Sequence, residues 1–450
     1  MPANELPVRL DGRTLEGGGQ LVRVAVSLSA ITRQPVSIHH IRGNREVPKS
    51  KVDDGKAKGG TDDHEKRKGK GKSGLKASHA VAISFLAEVS DCSVSGGEVS
   101  SQSLTFTPAA AKDAVNDHVR QRYAIHLPTA GSVFLVFQAV YPYLLTITMR
   151  MGIPIELSLK GGTNNTFSPS YDYVTQVLLP NFRLLGVPRT SVRLTKRGWS
   201  TGPTDMGEVK VCIYPPDPVQ NAGNNDARVH NTIFPSIDLS QYERGKITSI
   251  DLTILAPDYP VGDDMALRRY MEQETSRVLR GRLQELPSTM FQLDTTSTVA
   301  QNVPVNVHTS ERTTHNSRLY VLIVAHTTSG FRVARDALLG EGGTGSGESR
   351  RQRRKDKTED SMPTTARGLI ELCVQRFTEL SDPRFEESSD SRRPCVDAHC
   401  RDQVVMFEAL GGKASPPSTE VHSQGENERY WSLHTRTAIW VCEQLLGRLE

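Results

Sequence analysis

Long hydrophobic runs are missing from these 450 residues: no uninterrupted apolar stretch comes near the twenty or so that a membrane-crossing helix needs. Met1 to Gly12 is too polar for the core of a signal peptide. The expectation is a protein with no membrane partner and no secretion. Cysteine is sparse, and its six positions, Cys92, Cys212, Cys373, Cys395, Cys400 and Cys442, contain no C-x-x-C pair. That pattern signals neither a zinc ribbon nor a disulfide framework, and points to reduced thiols in an intracellular protein. Two familiar nucleotide signatures are absent as well. Gly71-Lys72-Ser73 has Lys66 where a Walker A string needs its first glycine, and no dinucleotide fingerprint is complete.

What is present has the make-up of a globular chain with extra polar segments: 36% hydrophobic, 24% charged, and a mean hydropathy of -0.42. The length leaves room for two or three modules. The net charge of +4 is unevenly placed, because Lys49 to Lys76 holds ten Lys or Arg against five Asp or Glu. The high pI is therefore set by one basic insertion, and runs of this composition ordinarily stay solvated.

Hydropathy patterning organises the rest. Val8 to Asp11 reads as a strand, Gly12 to Gly19 as a turn, and Gln20 to Thr32 as a helix with Leu21, Val24, Leu28 and Ile31 on one face. A strand over Val36 to Ile41, a helix over His79 to Val89 and a hairpin over Ser93 to Thr107 follow. The same order returns downstream: strand Tyr123 to Leu127, helix Val133 to Leu145, strand Ile153 to Leu159, glycine loop Gly161 to Asn165, helix Tyr171 to Leu185. A third partial copy ends in the helix His434 to Leu449. Repeated α/β units are expected, rather than one doubly wound sheet. Ile237 to Leu339 differs in character and reads as an inserted α/β domain. Glu341 to Thr365 reads as a low-complexity, disordered linker.

Two glycine turns stand before helices, Glu16-Gly17-Gly18-Gly19-Gln20 and Thr129-Ala130-Gly131-Ser132. Such a turn either lets backbone N–H groups approach a phosphate or permits tight packing of helix on strand. His434 opens the last helix, where a histidine either caps and faces solvent or meets an anion; imidazole is also a competent nucleophile for phosphoryl or nucleotidyl transfer. Asp402-Gln403 precedes an apolar run, and these side chains, like Glu16, serve either as ordinary capping groups or as partners of a ligand.

Together these residues resemble the RNA 3′-terminal phosphate cyclase family. The matching strings are L-D-G-x-x-x-E-G-G-G-Q-L-V-R at Leu10 to Arg23, T-A-G-S-V-x-L-x-x-Q at Thr129 to Gln138, K-G-G-T-N at Lys160 to Asn164 with Pro169 beyond, Asp402-Gln403, and L-H-T-x-T-A-I at Leu433 to Ile439. The resemblance implies an ATP-dependent, ligase-type nucleotidyl-transfer enzyme that uses Mg2+ or Mn2+. Its partner is RNA with a 3′-phosphate end, and no obligate protein partner is inferred. By likeness, His434 is the nucleophile that becomes adenylylated, and Gln138, Pro169, Asp402 and Gln403 contact the adenylate. His399 stands where the family commonly has a tyrosine. Glu16 is the acidic position and the metal candidate. Arg23, Arg42 and Arg45 are the candidates for gripping RNA or nucleotide phosphates, because a guanidinium binds two oxygens at once.

The fold so implied is α/β (α+β): three copies of a unit with two helices on a four-stranded sheet, plus a smaller inserted α/β domain. On this reading 1–236 form the first two repeats with a basic insertion at 48–74. The inserted domain takes 237–340, the linker 341–365, and 366–450 the third repeat with His434. Where the family has a short glycine turn after an R-G-aromatic string, Arg197-Gly198-Trp199 is followed by the longer Gly202 to Gly207. A noncatalytic, cyclase-like factor of ribosome biogenesis or rRNA processing is the alternative, and retention of His434 favours the enzyme. Lys66-Arg67-Lys68 and the basic run Arg350 to Lys357 suggest a nuclear (nucleoplasmic) protein, with cytoplasmic residence as a second location.

Overall fold

A computed structural model describes residues 6–43, 73–109, 120–216, 234–261, 265–292, 303–340, 361–381, 394–412 and 431–447. Residues 48–72 of the basic insertion and 341–360 of the linker lie outside these residues, whereas 361–365, read from the sequence as the end of the linker, form the first turn of a helix.

The first unit runs β1 (Val8–Asp11), α1 (Gly19–Thr32), β2 (Val36–His39), α2 (Ala77–Ser90), β3 (Cys92–Ser95) and β4 (Leu104–Pro108). Its sheet has the order β1-β2-β4-β3, with β1 and β2 parallel across the α1 crossover and the other pairs antiparallel. The second unit repeats the plan with β5 (Arg122–His126), α3 (Val133–Met151), β6 (Ile155–Gly161), a helical stretch, β7 (Thr190–Lys196) and β8 (Gly207–Ile213) in the order β5-β6-β8-β7. That stretch comprises α4 (Tyr171–Tyr173), a π-helical segment Val174–Leu178 and α5 (Leu179–Leu184). The repetition expected from the sequence is thus present in topology as well as in order.

Burial departs from a simple amphipathic picture. Every residue of α1 from Gln20 to Ala30 is buried, so this is a central helix packed on all sides rather than one with a single apolar face. Helix α3 is long and apolar enough by length and composition to cross a membrane, although Gln138 and Arg150 interrupt its apolar run. Most of it, 78%, is buried inside the protein, as in a core helix.

The inserted domain has its own plan. Strands β9 (Ile247–Ala256), β12 (Val305–Arg312), β13 (Tyr320–Thr327) and β14 (Arg332–Leu338) form a sheet in the order β12-β9-β13-β14, and β10 (Pro260–Val261) pairs with β11 (Met265–Ala266). Helix α6 (Leu267–Leu283) buries Leu267, Met271, Thr275, Leu279 and Leu283, a single stripe at four-residue spacing. Strand alternation gives the sheet two buried faces. Val321, Ile323 and Ala325 join the cluster under α6, while Tyr320, Leu322 and Val324 join the main core.

Helix α7 (Ser361–Thr378) belongs to this second cluster through Leu369, Ile370, Cys373, Val374 and Phe377. The segment 366–378, assigned by sequence to the third repeat, therefore packs with the inserted domain, because its apolar face covers that sheet. The described part of the last segment is α8 (Ala398–Leu410) and α9 (Leu433–Leu446), which pack on each other, with α9 also on α1. All six cysteines are free thiols.

Candidate active site

The loop from Gly12 to Gly19 is shaped by its glycines. Gly17 has φ +58, and a Cβ there would fall 1.8 Å from the Gly12 carbonyl oxygen. A Cβ at Gly19 would stand 2.7 Å from both Arg23 Nη1 and His79 Nε2, so the first turn of α1 is free of side chains where these two groups approach it. No side chain caps that turn and no acidic residue lies in it, which leaves its N–H groups and positive dipole end suited to an anion. The other glycine turn serves packing. Ser132 caps α3 by accepting from Leu135 N, Val133 N donates to Gly162 O, and Asn165 Nδ2 donates to Ala130 O, which locks the T-A-G-S and K-G-G-T-N strings together.

Residues 16 and 434 meet across almost the whole chain. Glu16 N donates to Thr437 Oγ1 at 3.2 Å, and Thr437 Oγ1 donates to Leu433 O at 2.7 Å, tying the glycine loop to the first turn of α9. The Ser432 hydroxyl caps α9 by accepting from Thr435 N. His434 Nδ1 then lies 3.8 Å from Glu16 Oε2, with the imidazole 52% exposed and the carboxylate 12%. Gly18 N holds the same Oε2 at 3.2 Å.

Behind this pair, Arg23, Gln138, Asp402 and Gln403 line one cavity of about 20 Å3 together with Gln20, Phe137 and Met406. Arg23 donates to Gln20 Oε1 at 2.8 Å, and Gln20 Nε2 reaches Asp402 O at 3.5 Å, so Gln20 bridges α1 and α8. Burial lowers the Arg23 guanidinium from its usual range, countered by the Glu16 and Asp402 carboxylates. Burial also pushes the Asp402 carboxyl up to about 7, opposed by the Gln403 amide and by Arg23. Arg23 Nε and Gln138 Oε1 are buried without a hydrogen-bond partner, an unfavourable state that a polar ligand relieves. The donor set is polar, and at this volume the cavity as it stands holds no more than about one water.

His399 sits on the first turn of α8 with its ring edge-on to Tyr173, centroids 6.1 Å apart. Its side chain keeps contact with solvent. Desolvation by neighbouring groups, then the charge of Arg335, lowers its imidazole from the usual value, opposed by the Asp397 carboxylate. Asp397 organises the neighbourhood: it caps α8 at His399 N and Cys400 N, and accepts from Tyr173 Oη at 2.7 Å and from Ala334 N at 3.0 Å. Pro169 precedes Ser170, which caps α4 and shares a 2.6 Å hydrogen bond with Tyr320 Oη. The Pro169 loop thus reaches the His399 corner through Tyr173.

The arginines part company. Arg23 is in the site. Arg42 is 5% exposed with φ +62, and its backbone N donates to Gly17 O at 2.8 Å. It is buried like Arg23, and its backbone ties it to the glycine loop, but it does not line the cavity that Arg23 lines. Arg45 lies outside the described residues. Among the described residues no group of three or more His, Cys, Asp or Glu is arranged to hold a metal, which leaves Glu16 as a single carboxylate donor. A magnesium-like ion held mainly by phosphate oxygens and water fits that supply.

Gln20 and His79 are site residues that sequence reasoning did not single out. Both stand inside strings already conspicuous, E-G-G-G-Q and the G-L-K-A-S-H stretch before α2. His79 is 4% exposed, and its Nδ1 accepts from Lys76 N, which turns Nε2 toward Gly19. The longer turn after Arg197-Gly198-Trp199 also has a structural reason. Arg318 of the inserted domain pairs with Asp205 at 3.2 Å and donates to Pro203 O, while Arg197 bonds both Asp172 and Glu311.

Fold and site together define a repeated α/β protein in which a helix-borne histidine, a glycine loop and a buried polar pocket converge. A family model described as RNA 3′-terminal phosphate cyclase matches residues 14–49 and 64–449. Proteins named RNA 3′-terminal phosphate cyclase from Drosophila melanogaster and Methanosarcina mazei are each 26% identical over 98% of this chain, covering 92% and 95% of their own lengths. One of the same name from Methylococcus capsulatus is 32% identical over 206 residues, 46% of this chain and 48% of that protein. The chain belongs to the RNA 3′-terminal phosphate cyclase family.

Proposed function

We propose that this protein converts an RNA 3′-terminal phosphate to a 2′,3′-cyclic phosphate at the expense of ATP, with His434 as the nucleophile. The observation that carries the reading is the pairing of His434 Nδ1 with the Glu16 carboxylate, which favours the tautomer with its lone pair on Nε2. In the first step His434 Nε2 attacks the α-phosphorus of ATP, an N–P bond forms and pyrophosphate leaves. An oxygen of the RNA 3′-phosphate then displaces the histidine and takes the AMP. The neighbouring 2′-hydroxyl attacks the 3′-phosphorus, loses its proton, and AMP departs as the ring closes.

The residues support this chemistry by type and place. Gln138, Asp402 and Gln403 offer polar edges to the nucleotide, and His399 offers a flat ring in place of a tyrosine. Arg23 and the open first turn of α1 face the phosphates. A divalent ion at Glu16, Mg2+ or Mn2+, supplies neutralisation of the triphosphate charge. The basic runs at 66–68 and 350–357, both outside the described residues, extend the reading to a nuclear protein.

Incubation with α-labelled ATP and either metal, followed by a denaturing gel, tests the first step. Label that survives denaturation, is released by acid as a phosphoramidate is, and disappears in His434→Ala supports the proposal. Folded protein that takes no label with either metal overturns it, and leaves the noncatalytic RNA-binding role.

A further inference from the structure

The solvent face of the second sheet has a composition that the fold does not require. Strand alternation and register place Arg122 and His126 of β5, Glu156, Ser158 and Lys160 of β6, Glu208 and Lys210 of β8, and Arg193 of β7 on that face, with Lys196 beside Glu208 past a bulge. Five Lys or Arg thus stand with two carboxylates of the strands, and Lys196 is in addition paired with Asp205 at 2.8 Å, which leaves Lys160, Lys210 and Arg193 as the central cations. Those carboxylates are engaged elsewhere than with the central cations: Glu156 pairs with Arg122, and Glu208 accepts from Ser158 Oγ. Lys210 and Arg193, both exposed, are direct cross-strand partners. Like charges directly opposite one another cost stability unless an anion lies over them.

The first sheet is an internal control. It has the same strand order, yet the equivalent face carries Ser37, Thr105, Thr107, Ser93 and Ser95, with Arg9, Asp11 and His39 toward one edge. Two sheets of one design therefore differ in charge at the same face, so the cations answer something other than folding.

A second observation lies where this face meets the site. Phe167 is 76% exposed and has φ +58, a backbone region that a bulky side chain rarely adopts. It stands in the loop that follows Lys160 and ends at Pro169. The same end of the sheet leads to the site: Leu127 N donates to Lys160 O, Gly162 bonds Gly131, and Ser132 caps the helix that bears Gln138 six residues on, about 9 Å along its axis.

We infer that the outer face of the β5-β6-β8-β7 sheet is the track for the RNA strand leading to the terminal phosphate, with Phe167 stacking a base where the strand turns into the site. The inference rests on the cyclase reading for the identity of the polyanion. Lys160, Lys210 and Arg193 lie on three adjacent strands, a span of roughly 10 Å that accommodates a few phosphates. A cationic surface joined to an exposed aromatic is the arrangement that binds single strands without regard to sequence.

Arg193→Glu is the discriminating variant, because it places opposite charges across from each other at Lys210. Its melting temperature is expected to hold or rise, while its affinity for a single-stranded RNA of about 12 nucleotides ending in a 3′-phosphate, read by fluorescence anisotropy, falls about tenfold. The slope of log affinity against log salt becomes shallower by roughly 0.7 for each phosphate that the protein no longer neutralises. Affinity for a 3′-phosphorylated dinucleotide stays unchanged. Phe167→Ala is expected to weaken the longer RNA about tenfold with little change in salt slope. Unchanged affinity and salt slope for the longer RNA in Arg193→Glu, or wild-type binding of that RNA no tighter than the dinucleotide, overturns the track. These binding arms need no ATP, so absence of histidine labelling removes the cyclase reading without deciding the track.

Discussion

Glu16 Oε2 stands 3.8 Å from Nδ1 of His434, and the two residues are separated by nearly the whole chain. The contact turns the Nδ1 side of the imidazole toward the carboxylate of the glycine loop. Thr437, one turn further along α9, fixes the distance by accepting from Glu16 N.

Glu16→Gln keeps the acceptor for Gly18 N but removes the charge. AMP loading is expected to fall roughly 10- to 100-fold, the range for losing an outer-shell partner of this kind. Labelling rates at varied Mg2+ and Mn2+ check it, with metal dependence altered as well; unchanged metal dependence speaks against a metal at Glu16.

Arg23→Lys retains a cation but loses the planar fork that meets Gln20 Oε1. The apparent ATP affinity of the labelling reaction is expected to drop about tenfold, equivalent to about 1.4 kcal/mol. Titration of ATP in the labelling assay measures it.

Asp402 has its carboxyl raised to about 7 from an ordinary 3.8, so the folded protein holds this proton where the unfolded chain has lost it. Ionising Asp402 costs stability; the cost is absent below about pH 4, grows between pH 4 and 7, and is complete above 7. Asp402→Asn removes it. Melting curves are expected to show little difference between the two proteins near pH 4 and an advantage of about 2–4 °C for the variant at pH 8.

Asp397→Ala breaks a buried junction of three elements, depriving Tyr173 Oη, Ala334 N and the first turn of α8 of their acceptor. Loss of the cap and exposure of unsatisfied donors together cost roughly 3 kcal/mol. Denaturant unfolding reads the loss. Tyr173→Phe is expected to recover at most part of that destabilisation, because the cap and the Ala334 bond remain absent.

The sequence by itself determined the repeated strand-helix order, the glycine loop at Gly17 to Gly19 and the helix beginning at His434. These are local matters, decided by apolar spacing and by glycine's freedom, so they are legible over a few residues. Four residues carried by the matching strings, Arg23, Gln138, Asp402 and Gln403, line one cavity. Tertiary structure alone decided that Gln20 links Arg23 to Asp402, that Arg42 is buried and tied by its backbone to the loop, and that α7 covers the inserted sheet instead of the third repeat. It also set Lys210 opposite Arg193. Such facts depend on which distant surfaces remove each other from water and on strand register, and neither quantity is carried by the periodicity of a single segment.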